Sequence, residues 1–203
     1  MRDVNESEVR RLVREAVDRA LGAPSAPDRP PAVPAPPAAS APPAAPARPA
    51  PSGERRVAIG SDHGGYELKM VLVRFLRDEM GWDVHDVGTH SAVDAVDYPD
   101  FAAAVAREVA SGRAARGIVV DAAGIGSTMA ANKVPGARCA LVHDDATALN
   151  CREHNDANVL ALGARVVNRG LAIRLTRLFL VTPFGGGRHA RRVQKIMALE
   201  GGR

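Results

Sequence analysis

Gly117-Ile118-Val119-Val120-Asp121-Ala122-Ala123-Gly124-Ile125-Gly126-Ser127-Thr128-Met129-Ala130-Ala131-Asn132-Lys133 carries the clearest structural signal in this chain. A short apolar run ends in one carboxylate, turns through small residues and enters a helix. This order puts Asp121 at the carboxyl end of a buried strand. It puts the backbone N–H groups around Gly124, Gly126 and Ser127 at a helix start. Such N–H groups donate to anionic oxygen. A base beside them suits chemistry on a phosphorylated or enolising small molecule. The same residues also describe a glycine-rich turn in which Asp121 only caps the helix, and both readings stand at this point.

Outward from that stretch, apolar runs alternate with helical periods. Strands are predicted over 56–61, 83–87, 117–120, 138–142 and 158–162. Helices are predicted over 66–79, 100–110, from 127, 145–152, 171–179 and 189–199. In 66–79, Leu68, Val71, Leu72 and Phe75 share one face. Short apolar strands alternating with helices imply an α/β fold with a doubly wound, Rossmann-like, parallel five-stranded sheet covered on both faces. Ligands of such sheets bind at the carboxyl ends of the strands. Several polar clusters are expected there: Asp62-His63, Asp97-Tyr98-Pro99-Asp100, Asp121 with its loop, the run 152–156, Arg165, and Arg188-His189 with Arg192. Arg188 and Arg192 are four apart and share a helix face behind three glycines, a combination that favours a phosphate. Each cluster alone reads first as a turn, a cap or a solvated charge, and it is their joint placement that points to a site.

Composition divides the 203 residues into three parts. In 1–22, Val9, Leu12, Val13, Ala16, Val17, Ala20 and Leu21 follow the spacing of an amphipathic helix, ended by Gly22 and Pro24. Its polar face mixes four arginines, Arg10, Arg11, Arg14 and Arg19, with Glu6, Glu8, Glu15 and Asp18. That balance fits neither a transit peptide nor an anchor for an anionic membrane. Residues 23–54 form a Pro/Ala-rich spacer that cannot build a core and is expected to be disordered. It holds twelve of the fifteen prolines, and its extended reach is roughly 90 Å. A helix tethered that far from its domain needs a partner for its apolar stripe. The compact domain is expected over 55–203.

The net charge of +4 is mild, and no basic stripe interleaved with aromatics is present, so nucleic acid is not an expected partner. The two cysteines, Cys139 and Cys151, show no metal-ligand spacing, and no signal peptide precedes them. A cytoplasmic setting without a bound metal is expected. No apolar run approaches the length of a membrane span.

Six ordered motifs resemble one family. They are Ser61-Asp62-His63-Gly64-Gly65-Tyr66, Asp97-Tyr98-Pro99-Asp100, Gly124-Ile125-Gly126, Ala131-Asn132-Lys133, Arg152-Glu153-His154-Asn155-Asp156-Ala157-Asn158 and Gly187-Arg188-His189-Ala190-Arg191-Arg192-Val193. They look like the type B ribose-5-phosphate isomerases and their galactose-6-phosphate isomerase relatives. The resemblance implies aldose–ketose isomerisation through an enediolate, with neither metal nor cofactor. It implies that His154 helps open the sugar ring, with Asn155 beside it. It assigns sugar oxygens to Asp62 and His63, and the pocket wall to Tyr98. It assigns the enediolate to the amides from Gly124 to Ser127, with Asn132 nearby, and the phosphate to Arg165, Arg188 and Arg192. It further implies a homodimer or homotetramer with shared active sites.

One departure from the family pattern stands out. Many members carry a cysteine base where this chain has Asp121, followed by Gly-Thr where it has Ala122-Ala123. Others use a glutamate whose matching position here is Ser127. Asp121 is then the only acidic side chain of the loop and the expected base. Finally, a short amphipathic helix on a Pro/Ala linker resembles the encapsulation peptides of enzymes carried inside bacterial microcompartments. That resemblance implies a shell or cargo partner for 1–22 and a location in the compartment lumen.

Overall fold

The computed structural model describes residues 55–202. The expected helix over 1–22 and the spacer over 23–54 lie outside the described residues.

Five strands, β1 (Arg56–Ser61), β2 (Asp83–Asp86), β3 (Arg116–Asp121), β4 (Cys139–Leu141) and β5 (Val159–Gly163), form one sheet in the order β2-β1-β3-β5-β4. Every pairing is parallel. Parallel neighbours require crossovers, and helices supply them. These are α1 (Tyr66–Arg74, continued by a wider helical turn at Phe75–Glu79), α2 (Tyr98–Ala110), α3 (Ile125–Ala131) and α4 (Asp145–Glu153). Two more, α5 (Arg169–Val181) and α6 (Arg188–Ala198), close the chain. The α/β, doubly wound expectation is met.

Side chains alternate across a strand, so each strand feeds two cores. Val57, Ile59, Ile118, Val120, Leu160 and Leu162 face one layer with Leu72 of α1, Ala148 of α4 and Leu175 and Phe179 of α5. Ala58, Val119, Val159 and Ala161 face the other, with Ala102, Val105 and Ala106 of α2 and Ala131 of α3. The strands buried on both faces are therefore nearly continuous apolar runs, as parallel sheets require.

The boundaries differ from the sequence reading where capping chemistry intervenes. α2 begins at Tyr98 rather than 100, because Asp97 is extended and Pro99 sits in the first turn, where its missing N–H costs nothing. α3 begins at Ile125 rather than 127, because Gly124 adopts φ 80° and starts the helix itself. Glycine is required there twice over. The left-handed backbone favours it, and a side chain would run into Leu141 and the backbone of Gly163.

Among the described residues, no helix is long and apolar enough to cross a membrane. No cluster of potential metal ligands is found among them either.

Candidate active site

β1 and β3 lie side by side, so Asp62 and Asp121 emerge together at the carboxyl edge of the sheet. Register pairs Ser61 with Val120. The Asp62 carboxylate is 8 % exposed, and its Oδ1 accepts the Gly65 N–H at 2.8 Å. His63 is exposed, and its Nδ1 accepts the Val96 N–H at 3.4 Å. Tyr98 is also exposed and lies over the start of α3. A Cβ on Gly126 would fall 2.5 Å from its ring. Beyond β5, the Arg165 N–H donates to the Ala122 carbonyl at 3.0 Å, so the exposed Arg165 joins the same edge. A hollow of about 370 Å³ runs there between Gly64 and Arg165.

Asp121 is buried, and its carboxylate is held by the loop that follows it. Oδ1 accepts the N–H groups of Ala123, at 2.8 Å, and of Gly124. Oδ2 accepts the Ser127 N–H at 3.0 Å. The amides read from sequence as a cradle for an anion thus hold the chain's own anion. Ser127 is 2 % exposed, so its amide lies inside this arrangement and not on the open surface.

Neither cysteine replaces the thiol that many members of the resembled family carry. Burial pushes the Cys139 thiol up to about 12 and the Cys151 thiol up to about 11. A nucleophilic or basic sulfur needs a depressed value.

The expectation that all the polar clusters share the carboxyl edge is corrected here. α4 runs antiparallel to the strands, from the end of β4 back to the start of β5. His154 caps its last turn and Asn155 follows, so both emerge at the amino edge. The α5–α6 turn lies beside them, with the Gly185 N–H donating to the Glu153 carbonyl at 2.9 Å. Arg188, His189 and Arg192 of α6 therefore belong to the amino edge too. A strand of five or six residues spans roughly 17–20 Å. Within one chain, His154, Asn155, Arg188 and Arg192 are thus a strand's length from Asp62, Tyr98, Asp121 and Arg165.

Asn132 is the second correction. It follows α3, at the far end of that helix from Gly124. Its side chain brackets one residue of β4: Nδ2 donates to the Cys139 carbonyl at 2.9 Å, and Oδ1 accepts the Cys139 N–H at 2.8 Å. It holds the amino edge together and does not face the Asp121 loop.

At the amino edge, the rings of His154 and His189 stack with centroids 4.2 Å apart and planes 4° from parallel. The Asn150 side-chain amide lies 2.8 Å from His154 Nδ1. Desolvation first, then the charges around His154, Arg188 and Arg192, lower the pKa of His189 from its ordinary value. Below them, Arg152 is 2 % exposed and ties Asp156 at 2.8 Å to the carbonyls of Ala157, at 2.5 Å, and Thr182, at 3.3 Å.

Sequence reading missed three of these groups. Asn150 stands four residues before His154, a helical spacing that places the two side chains together. His189 was visible only as part of a basic run. Lys69 lies between the apolar Leu68 and Leu72 on a buried face. It is fully buried and binds both oxygens of Asp86, at 2.7 and 2.8 Å, and the Thr89 carbonyl at 2.6 Å.

A family model described as Ribose/Galactose Isomerase matches residues 57–196. The solved structure of Clostridium thermocellum ribose-5-phosphate isomerase B is 50% identical. The match covers 72% of this chain and 97% of that one, with a TM-score of 0.70. The Trypanosoma brucei type B ribose 5-phosphate isomerase is 46% identical over 71% of this chain and 98% of its own, with a TM-score of 0.69. The Escherichia coli ribose-5-phosphate isomerase B is 41% identical over 146 residues, 72% of this chain and 97% of that protein. With its fold, its ordered motifs and these similarities taken together, the chain belongs to the ribose/galactose isomerase family.

Proposed function

We propose that this protein interconverts ribose 5-phosphate and ribulose 5-phosphate through an enediolate, at sites that two copies of the chain complete together. The observation that carries this reading is the division of the polar groups between opposite edges of one sheet. The carboxyl edge supplies the base, the loop and Arg165. The amino edge supplies His154, Arg188 and Arg192. Neither edge has the full set, and a second copy docking its amino edge against the first copy's carboxyl edge provides it.

In this mechanism the arginines grip the phosphate, and His154 donates a hydrogen bond to the ring oxygen. As the ring C–O bond breaks, the hydroxyl on C1 becomes the aldehyde and gives its proton to water, and the ring oxygen gains one. Asp121 then takes the C2 proton and returns it to C1, while the proton of the C2 hydroxyl passes to the oxygen on C1, so that C2 becomes the ketone and C1 carries the hydroxyl. Oδ2 accepts one backbone N–H and keeps a lone pair for this transfer. Protonation removes the charge that the loop amides hold, at the moment when negative charge forms on the enediolate oxygens. Neutralising Asp121 in this way removes its repulsion of that charge. No metal or cofactor takes part in these steps.

The similarity to proteins named ribose-5-phosphate isomerase B supports this substrate. The test is a coupled assay of the purified protein with ribose 5-phosphate, beside other pentose and hexose phosphates. Preference for another sugar would move the substrate and keep the chemistry. The three backbone N–H groups that already hold Asp121 favour a second reading, a sugar-phosphate-binding protein without turnover. Thermal stabilisation by the sugar phosphate with no turnover would establish that one.

The proposal also places the enzyme in a bacterial microcompartment, with 1–22 as the recruiting helix. The amphipathic spacing and the long spacer support it. A fluorescent reporter fused behind residues 1–53 is expected to concentrate in compartments of a host that makes them, and a diffuse reporter would reject this location.

A further inference from the structure

His154 is held on two sides. Its Nδ1 faces the Asn150 side-chain nitrogen at 2.8 Å. An amide NH2 only donates, so Nδ1 accepts and the ring proton sits on Nε2. One face of the ring is covered by the His189 ring at 4.2 Å and 4°. His189 is itself fixed. It lies in the first turn of α6, its backbone N–H donates to Gly186 at 2.9 Å, and its Nε2 accepts a long contact of 3.5 Å from Arg188 Nε. Its Nδ1 is buried, with no hydrogen-bond partner among the described residues.

We propose that His189 is a positioning residue that holds His154 in plane as the neutral Nε2–H form, which suits this protein to the closed-ring form of its aldose phosphate. The inference rests on the isomerase reading above. Desolvation, with the charges of Arg188 and Arg192 beside it, disfavours a charge on the His189 ring that lies against His154. A fixed plane then fixes the direction of the Nε2–H bond. A misdirected donor costs rate even when it is still present.

Ribulose 5-phosphate separates this role from general damage. Its phosphate blocks the oxygen that would close a ring, so the ketose enters open. In His189→Ala, turnover of ribose 5-phosphate is expected to fall roughly ten- to hundredfold, while consumption of ribulose 5-phosphate stays within a few-fold of the parent. His189→Phe keeps a flat ring on His154 and is expected to restore most of the aldose rate. Nitrogen NMR of the full-length protein should report the Nε2–H form of His154 in the parent and in His189→Phe, and a mixture of forms in His189→Ala. Equal loss in both directions, in both variants, would overturn the proposal. So would an unchanged His154 signal in His189→Ala. If the parent does not turn over ribose 5-phosphate, the isomerase reading fails by itself, and the NMR comparison still decides what His189 does to His154.

Discussion

Asp121→Asn alters one atom of the proposed base and keeps its size. Removing a positioned general base costs about 10²–10⁴ in rate. We expect kcat for ribose 5-phosphate to fall by that order, with KM within a few-fold, in a coupled assay. The Asn NH2 also faces donors in the loop, so a lower melting temperature is expected alongside. Full turnover with a lowered melting temperature would mean that Asp121 shapes the loop and does nothing more. His154→Gln is expected to behave differently. It should slow ribose 5-phosphate turnover by about 10² and leave ribulose 5-phosphate consumption nearly unchanged, because only the aldose has a ring to open. Comparing the two directions in one preparation checks this. At this scale the sequence offered candidate residues more readily than their hydrogen-bond partners. Asp121 was legible because one carboxylate ended an apolar run. Its three N–H donors were not, because a cap and a base have the same spacing. Asn132 was misassigned for a related reason. The motif carried it next to the loop in sequence, and α3 carried it away in space.

The elements were legible in number and type because each strand is apolar on both faces and each helix on one. Their polarity relative to one another was the part that misled. A residue just before β5 looks close to a strand end, but it is the amino end, since α4 returns antiparallel. α4 itself rests on a capping box: the Asp144 carboxylate accepts the Thr147 N–H at 2.8 Å and its hydroxyl at 2.9 Å. Those bonds hold the Asp144 carboxyl below its ordinary range, the backbone bond most and the hydroxyl next. A depressed carboxyl contributes stability that is present above its unfolded value and lost as pH falls through its folded one. The melting temperatures of the parent and Asp144→Ala should therefore differ most near neutrality, and the gap should begin to close as pH falls below about 4 and keep closing through the lower folded value. Thermal unfolding across that range checks it, and a difference that persists at low pH would show that the cap carries no linked proton. The helix matters to the site because Asn150 and His154 both ride on it. Arg152, on the same turn, shows the limit of reading charge from sequence. A basic residue in a polar run looks solvated, yet this one is buried as a tie between α4, β5 and the end of α5.

At the scale of the whole molecule, the separation of the two edges leads to the most discriminating test. α6 buries only Val193 and leaves Ile196 and Leu199 exposed at 44 % and 77 %. Beside the Asp121 loop, Ile125 and Met129 stand 53 % and 64 % exposed, one helical turn apart. These apolar surfaces flank the two half-sites and suit a partner of the same chain. A two-fold dimer uses the same patch on both copies, so the proposed pairing would give each dimer two equivalent composite sites. Asp121→Asn and His154→Gln variants, each slow with ribose 5-phosphate by itself, should then complement when mixed. In a mixed dimer one site inherits both substitutions and the other inherits neither. Random exchange of equal amounts makes half of the dimers mixed, so about one quarter of the parent's turnover should return. The expected course is slow recovery on mixing, faster after brief unfolding and refolding together. Recovery that stays absent while size measurements show mixed dimers would place the whole site within one chain, and the amino-edge residues would lose their part in the chemistry. Recovery near one quarter would fix which residues cross the interface: His154 acts on the sugar bound at its partner's Asp121.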